Sequence, residues 1–276
     1  MSYSVLFLNL PVIDLYEEFL PSQTYEGENT VLYLQLARYL IKSVQHASKG
    51  QVLRGSVSYI SRGLLQEAGR KSSFTTLEDL SSGIALLDII RHRAVSVLLQ
   101  TAQLLSSKVS GGAPMSDAWN KITIDLVRAA NAHSVFVYMQ NFYDSIASIQ
   151  CSASLKLVLQ SLFNLFGCFW ILRDTGDFLE DGHISRSQLC LIRQHFKDLL
   201  HLIRRDAVVL VDSWDFSDYT LNSALGRYDG NVYQALYDWA QEAPLNQKKN
   251  ADGIQEFLLP TMRKPKPQFQ SFFSKL

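Results

Sequence analysis

A surplus of charge of either sign is what this 276-residue chain lacks first: 26 Lys and Arg face 26 Asp and Glu. A neutral chain holds no net attraction for nucleic acid or an anionic membrane, so neither is expected as a partner. Cysteine is scarce. Cys151, Cys168 and Cys190 are an odd three, with no CxxC and no metal-ligand spacing. All three fall in apolar helical runs and read as free core thiols of a reducing compartment. No uninterrupted apolar run reaches the roughly 18 residues that a membrane span needs. The first eight residues are mostly apolar but have no basic n-region, and Pro11 and Asp14 follow at once, which argues against a secretory leader. A Gly-rich phosphate loop, a nucleophile elbow, a Ser-His-Asp order and His pairs one helical turn apart with a carboxylate are all missing, so no metal site is expected. Strand-like alternation with turn signals is missing as well, which leaves an all-α chain.

What is present is apolar periodicity, with 47% hydrophobic residues to fill a core. Residues 1–29, with Pro11 and Pro21, hold no complete element. A helix runs from Thr30 to about Ala47 and stops at Gly50. Residues 50–73 read as a connector. Thr75-x-x-Glu78 is a capping box opening a helix through Leu80, Leu87, Val97 and Leu98 to Leu105. Gly111-Gly112-Ala113-Pro114 breaks it, and Ser116 or Asp117 caps the next helix, which runs to Ile146. An apolar helix covers Ser152 to Arg173, and the capping box Ser185-x-x-Gln188 starts one that reaches Val211. Gly226 ends a further short helix and Asp229 caps its successor. Up-and-down helices with short loops pack as a bundle.

The stretch with chemical content is Thr24-Tyr25-Glu26-Gly27-Glu28-Asn29-Thr30, at the start of the first of those helices. A glycine between two acids permits a tight turn and leaves the side chain of Glu26 projecting, while the new helix aims unpaired N–H groups at the same spot. Glu26 is the candidate working carboxylate. Glu28 reads as an N-cap or dipole acid before a second catalyst, and Asn29 and Thr30 read either as donors to a ligand or as caps. His133 lies on an apolar face as a satisfied core residue, His92, His195 and His201 read as helix-surface residues, and His46 and His183 sit at helix ends or loops. Arg227 and Asp229 read as structural links; Arg38 does too, or else contacts a cofactor. At the other end, Ser274-Lys275-Leu276 is the tripeptide read by the peroxisomal import receptor, held out by Lys264-Pro265-Lys266-Pro267.

Tyr25 to Val31, with Leu34-Gln35 and Ala37-Arg38, resembles the catalytic-base segment of peroxisomal acyl-CoA oxidases; acyl-CoA dehydrogenases carry a looser version. Leu221 to Tyr233, and above all Gly226-Arg227-Tyr228-Asp229-Gly230-Asn231-Val232-Tyr233, resembles the C-terminal domain of the same family. Asn222-Ser223-Ala224-Leu225 leans toward the branched-chain and bile-acid-intermediate enzymes, while Arg227 also suits the straight-chain one. The resemblance implies a helical bundle of the acyl-CoA dehydrogenase/oxidase C-terminal type. Residues 1–49 would end the first C-terminal helical domain, 50–73 connect, 74–262 form the oxidase C-terminal domain, and 263–276 form the tail. It also implies FAD as cofactor, acyl-CoA and molecular oxygen as substrates, and a homodimer in the peroxisome. Glu26 would take the α-proton, with Glu28, Asn29 and Thr30 close to the flavin. The family's Gly-His-Gly-Tyr turn is missing before Glu26, where only Tyr3 could match its end, so the sequence reads as opening inside a domain. The competing reading is a truncated, non-catalytic helical module that pairs with full-length oxidase subunits.

Overall fold

A computed structural model describes residues 12–61, 70–244, 246–247 and 253–263, and among these there is no strand. Tyr3, Leu64, Leu65 and the tail with Ser274, Lys275 and Leu276 lie outside the described residues. The chain divides into two units, one from Gln23 to Leu210 and one that joins the helix Val12–Ser22 to the residues from Val211 on.

In the first unit, α2 (Asn29–Ser48), α4 (Ile84–Ser110), α6 (Thr123–Ser148), α7 (Ala153–Arg173) and α9 (Arg186–Ile203) form the bundle, with α1 (Val12–Ser22) reserved for the other unit. α4 packs chiefly on α6, α7 on α9, and α2 on α6. Leu86, Ile89 and Ile90 of α4, Leu126 and Met139 of α6 and Phe163 of α7 are fully buried between them. Each such side chain contributes about 1.5–3 kcal/mol of apolar burial. The expected cap at Ser185-x-x-Gln188 is present, Ser185 and Gln188 closing a reciprocal box with bonds of 3.2 and 2.9 Å. Ser152 caps α7 as well, accepting from the Leu155 N–H at 3.3 Å.

Elsewhere the helices are cut more finely than the apolar period indicates. Residues 12–22 form α1, because apolar positions 12, 13, 16, 19 and 20 keep helical spacing and Pro21 sits only in its last turn. The helix expected from Thr75 splits into α3 (Glu78–Ser81) and α4 at Gly83, whose φ is +74°. A Cβ there would meet Asn164 Oδ1 and Phe163 Cε1 at 2.4 Å, so α7 approaches closely at the break. The capping box sits one residue on from Thr75 and Glu78: the Thr76 N–H donates to Asp79 Oδ2 (2.9 Å) and the Asp79 N–H to Thr76 Oγ1 (3.3 Å). Burial of Leu80 sets that register. Ser116 and Asp117 lie inside a short α5 (Met115–Asn120), and α6 restarts after a buried Ile122. α8 (Thr175–Glu180) was not anticipated, and α9 stops at Ile203 rather than Val211. Of the three free thiols, Cys168 alone is a core residue, its thiol pushed up to about 12 by burial. Cys190 is exposed and Cys151 precedes α7. By length and composition α7 could cross a membrane, although Lys156, Gln160 and Asn164 interrupt its apolar run; here its Phe163, Cys168 and Ile171 are core.

In the second unit, α10 (Ala207–Asp212) leads in from the first, and α11 (Asp218–Leu221) ends at Asn222, in the left-handed region at φ +43°, not at Gly226. α12 (Val232–Glu242) has Asn231 as its N-cap residue, and Asp229 instead accepts from the Asn231 N–H at 2.9 Å.

Candidate functional site

Glu26 stands in the turn of residues 23–26 that leads into α2, and its side chain is exposed. The next residue, Gly27, takes φ +105°, where an L side chain is strained; a Cβ would also press on Leu32 Cδ2 at 3.2 Å. Past that reversal Glu28 folds back over the helix start. Glu28 is the N-cap: its Oε2 accepts from the N–H groups of Thr30 (2.9 Å) and Val31 (3.3 Å), and its Oε1 from the Thr30 hydroxyl (3.0 Å). The Thr30 amide bond, foremost among these, holds the Glu28 carboxyl below its ordinary 4.5. Asn29 opens the helix and, like Thr30, is exposed.

The four residues singled out from the sequence therefore lie together where the turn enters α2. Glu26 projects with no partner among the described residues, Glu28 is spent on the cap, and Asn29 retains a free side-chain amide. The helix N-terminus is no longer open to an anion, because Glu28 already occupies its amides. The turn can still receive a neutral group with donors and acceptors, through Asn29 and the Thr30 hydroxyl oxygen. That chemistry suits the edge of a flavin ring and not its phosphates. A cleft of about 680 Å³ in the same unit is lined by Tyr59, Arg91, Phe136 and Asp144, away from the turn.

The histidines divide differently from the sequence reading. His133 is buried as expected, with Nδ1 2.9 Å from the Tyr59 hydroxyl. His92 is buried and not on the surface, its Nε2 2.7 Å from Asp181. It stacks on His183, with centroids 3.6 Å apart and planes at 7°. His183 is buried too, with Nδ1 2.8 Å from the Arg70 carbonyl. His195 is half-buried, while His201 and His46 are exposed. Arg38 lies over the Trp119 ring at 5.9 Å, a structural contact.

A polar cluster escaped the sequence reading altogether. Buried Arg93 bonds Asp174 (2.8 Å) and Asp177 (2.7 Å), and Arg128 bonds Asp177 (2.6 Å) and Glu180 (3.1 Å). Burial alone would raise the Asp181 carboxyl, but bonds from His92, the His183 N–H and Ser96 hold it below its ordinary value. The available signal was Asp174-x-x-Asp177-x-x-Glu180-Asp181, acids at helical spacing beside an apolar helix that carries Arg93.

With this geometry in place, comparison decides the family. A family model described as acyl-CoA oxidase matches residues 84–263. The chain belongs to the acyl-CoA oxidase family. Human peroxisomal acyl-coenzyme A oxidase 1 is 40% identical over 235 residues, covering 84% of this chain and 36% of the human protein. The crystal structure of an acyl-CoA oxidase from tomato superposes with a TM-score of 0.85 at 31% identity, over 93% of this chain and 38% of that one. Caenorhabditis elegans acyl-CoA oxidase-1, in a structure described as complexed with FAD and ATP, gives 0.77 at 34% identity, over 89% and 36%. This acyl-CoA oxidase chain thus spans little more than a third of the length of these relatives, and their structures confirm the helical bundle. The family match begins at residue 84, beyond the Glu26 turn.

Proposed function

We propose that this chain is the C-terminal portion of a FAD-dependent peroxisomal acyl-CoA oxidase, oxidising acyl-CoA to trans-2-enoyl-CoA while oxygen is reduced to hydrogen peroxide. The observation that carries the proposal is the unpartnered carboxylate of Glu26, presented on a left-handed glycine turn at the head of α2, in a chain of this family. Residues 1–49 would end the first C-terminal helical domain, 50–73 join it to the oxidase domain of 74–262, and 263–276 carry the import signal Ser274-Lys275-Leu276 to its receptor. The names of the relatives support a peroxisomal location.

Glu26 takes the α-proton, which the thioester carbonyl acidifies, and holds it on a carboxylate oxygen. When bound, FAD would supply the redox chemistry, as acceptor for the β-hydride and donor to oxygen. Asn29 and the Thr30 hydroxyl would meet the neutral ring edge of the flavin. Glu28 would fix the position of both by capping α2. A base of this kind works best desolvated, so the acyl chain and flavin would have to roof a turn that is open here. A homodimer would bring two such units together.

The second reading, a non-catalytic module pairing with full-length oxidase subunits, draws support from the exposure of Glu26. The purified chain decides. A flavin spectrum, with peroxide on addition of palmitoyl-CoA, supports the enzyme; a colourless, inert protein supports the module. In a flavin-loaded enzyme, Glu26→Gln should lower turnover by at least about 100-fold with flavin retained. Turnover that survives this change rejects Glu26 as the base.

A further inference from the structure

Zero net charge describes the whole chain and not each part of its surface. On α9 the cations gather along one line. Arg186, Arg193 and Lys197, with Arg204 at the C-cap, are seven, four and seven residues apart. At about 100° per residue these positions fall within about 20° of one direction round the helix, over a length of about 27 Å. Arg204 keeps helical dihedrals, φ −50° and ψ −34°, so the line runs unbroken past Ile203. All four side chains are exposed. None of them forms an ion pair among the described residues. The opposite side of α9 carries Leu189, Ile192 and Leu199 into the core, which fixes the direction in which the row points.

The fold gains nothing from this row. Arg193 and Lys197 stand one turn apart and repel each other. Asp198 is the one acid within α9; it lies about 120° round from the row and accepts from Gln194 Nε2 at 2.9 Å. The shape of the row then selects its partner. Protein interfaces desolvate a core depleted of charged side chains, and here Leu200 is the one exposed apolar side chain between Lys197 and Arg204. No aromatic ring on α9 is exposed, so there is no platform on which the bases of a single strand could stack. A planar anionic lipid surface requires neither pocket nor platform. It meets a straight line of long cationic side chains with several headgroups at once.

We infer that Arg186, Arg193, Lys197 and Arg204 rest this chain on an anionic lipid surface, with α9 parallel to the plane. The apolar side of α9 stays in the core, so the contact is electrostatic and peripheral. Glu26 and flavin chemistry play no part in it, and the Glu26→Gln result leaves it untouched. The test is flotation of the full chain with vesicles of phosphatidylcholine containing phosphatidylserine, against vesicles of phosphatidylcholine alone. Binding to the anionic vesicles alone is expected, weakening at least about tenfold as salt is raised. Arg193→Glu with Lys197→Glu should weaken it by at least about tenfold as well. Lys42→Glu with Lys121→Glu makes the same change in net charge at exposed sites off the row and should retain binding. Where the first pair does not fold, Arg193→Gln with Lys197→Gln replaces it and should weaken binding in the same direction. Glycerophosphoserine, the headgroup without its bilayer, should not compete, because the row needs several headgroups side by side. Failure to float, equal binding to both vesicles, equal loss in the off-row pair, or competition by the free headgroup overturns the proposal. So does tighter binding to polyglutamate or to duplex DNA than to the vesicles, which would make an acidic macromolecule the partner.

Discussion

The Tyr59 hydroxyl and His133 Nδ1 meet at 2.9 Å inside the bundle, with the rings stacked at 5.7 Å. Burial pushes the tyrosine up and holds the imidazole at about 4, against an ordinary 6.5. His133 is thus neutral when folded, and the unfolded chain takes up its proton first as pH falls. Its contribution to stability is complete above pH 6.5, declines between 6.5 and about 4, and changes no further below. The loss amounts to about 3 kcal/mol. Denaturant midpoints measured from pH 7 to pH 4 check it. His133→Phe should flatten that part of the profile but cost roughly 1–3 kcal/mol at pH 7, because the Tyr59 hydroxyl is left unpaired. Adding Tyr59→Phe should recover most of that cost.

Gly83→Ala should be among the most damaging small changes. It forces a side chain into φ +74° and drives its Cβ within 2.4 Å of Phe163 and Asn164, neither of which has room to retreat. A cost of about 2–4 kcal/mol is expected, read as a lower urea midpoint with an unchanged slope.

Arg93→Met should cost about 3–5 kcal/mol, since Asp174 loses a buried partner and Asp177 keeps only Arg128. Arg128→Met should cost less, because Arg128 is partly exposed and Arg93 stays in place. Thermal melts of both variants at pH 7 check this.

Glu28→Ala removes the N-cap of α2, so the Thr30 and Val31 amides should exchange faster with solvent while the core amides of α4 and α6 do not change. The wild-type cap is complete above the ordinary 4.5 of Glu28 and is lost as pH falls through its lower folded value. Exchange at those two amides should rise over the same range beyond its intrinsic pH dependence.

The bundle was legible because long apolar periodicities survive packing: α2, α7 and the start of α9 fall where their caps and stripes put them. The breaks were not. Leu80, Leu87 and Ile122 keep the helical period across Gly83 and across the α5–α6 junction; at Gly83 the close approach of Phe163 and Asn164 on α7 accompanies the break. His92 looked like a surface residue because Asp88 and Ser96 flank it at helical spacing, whereas the loop of Asp181 and His183 covers it from 89 or more residues away. The turn of Glu26 could be read because glycine, cap and helix start are local. The exposure of Glu26 could not, since burial depends on contacts distant in sequence.

Arg70 and Ser72 are tied to a distant part of the chain. Ser72 donates to the His183 carbonyl at 2.8 Å, His183 grips the Arg70 carbonyl, and Gln188 reaches the carbonyls of Ser72 and Phe74 at 3.0 and 2.8 Å. On the near side, Val57, Tyr59 and Ile60 are sunk in the core. Both banks, residues 57–60 and 70–74, are therefore moored to the bundle. Unseating His183 should accordingly loosen residues 70–74 together with the loop that carries it.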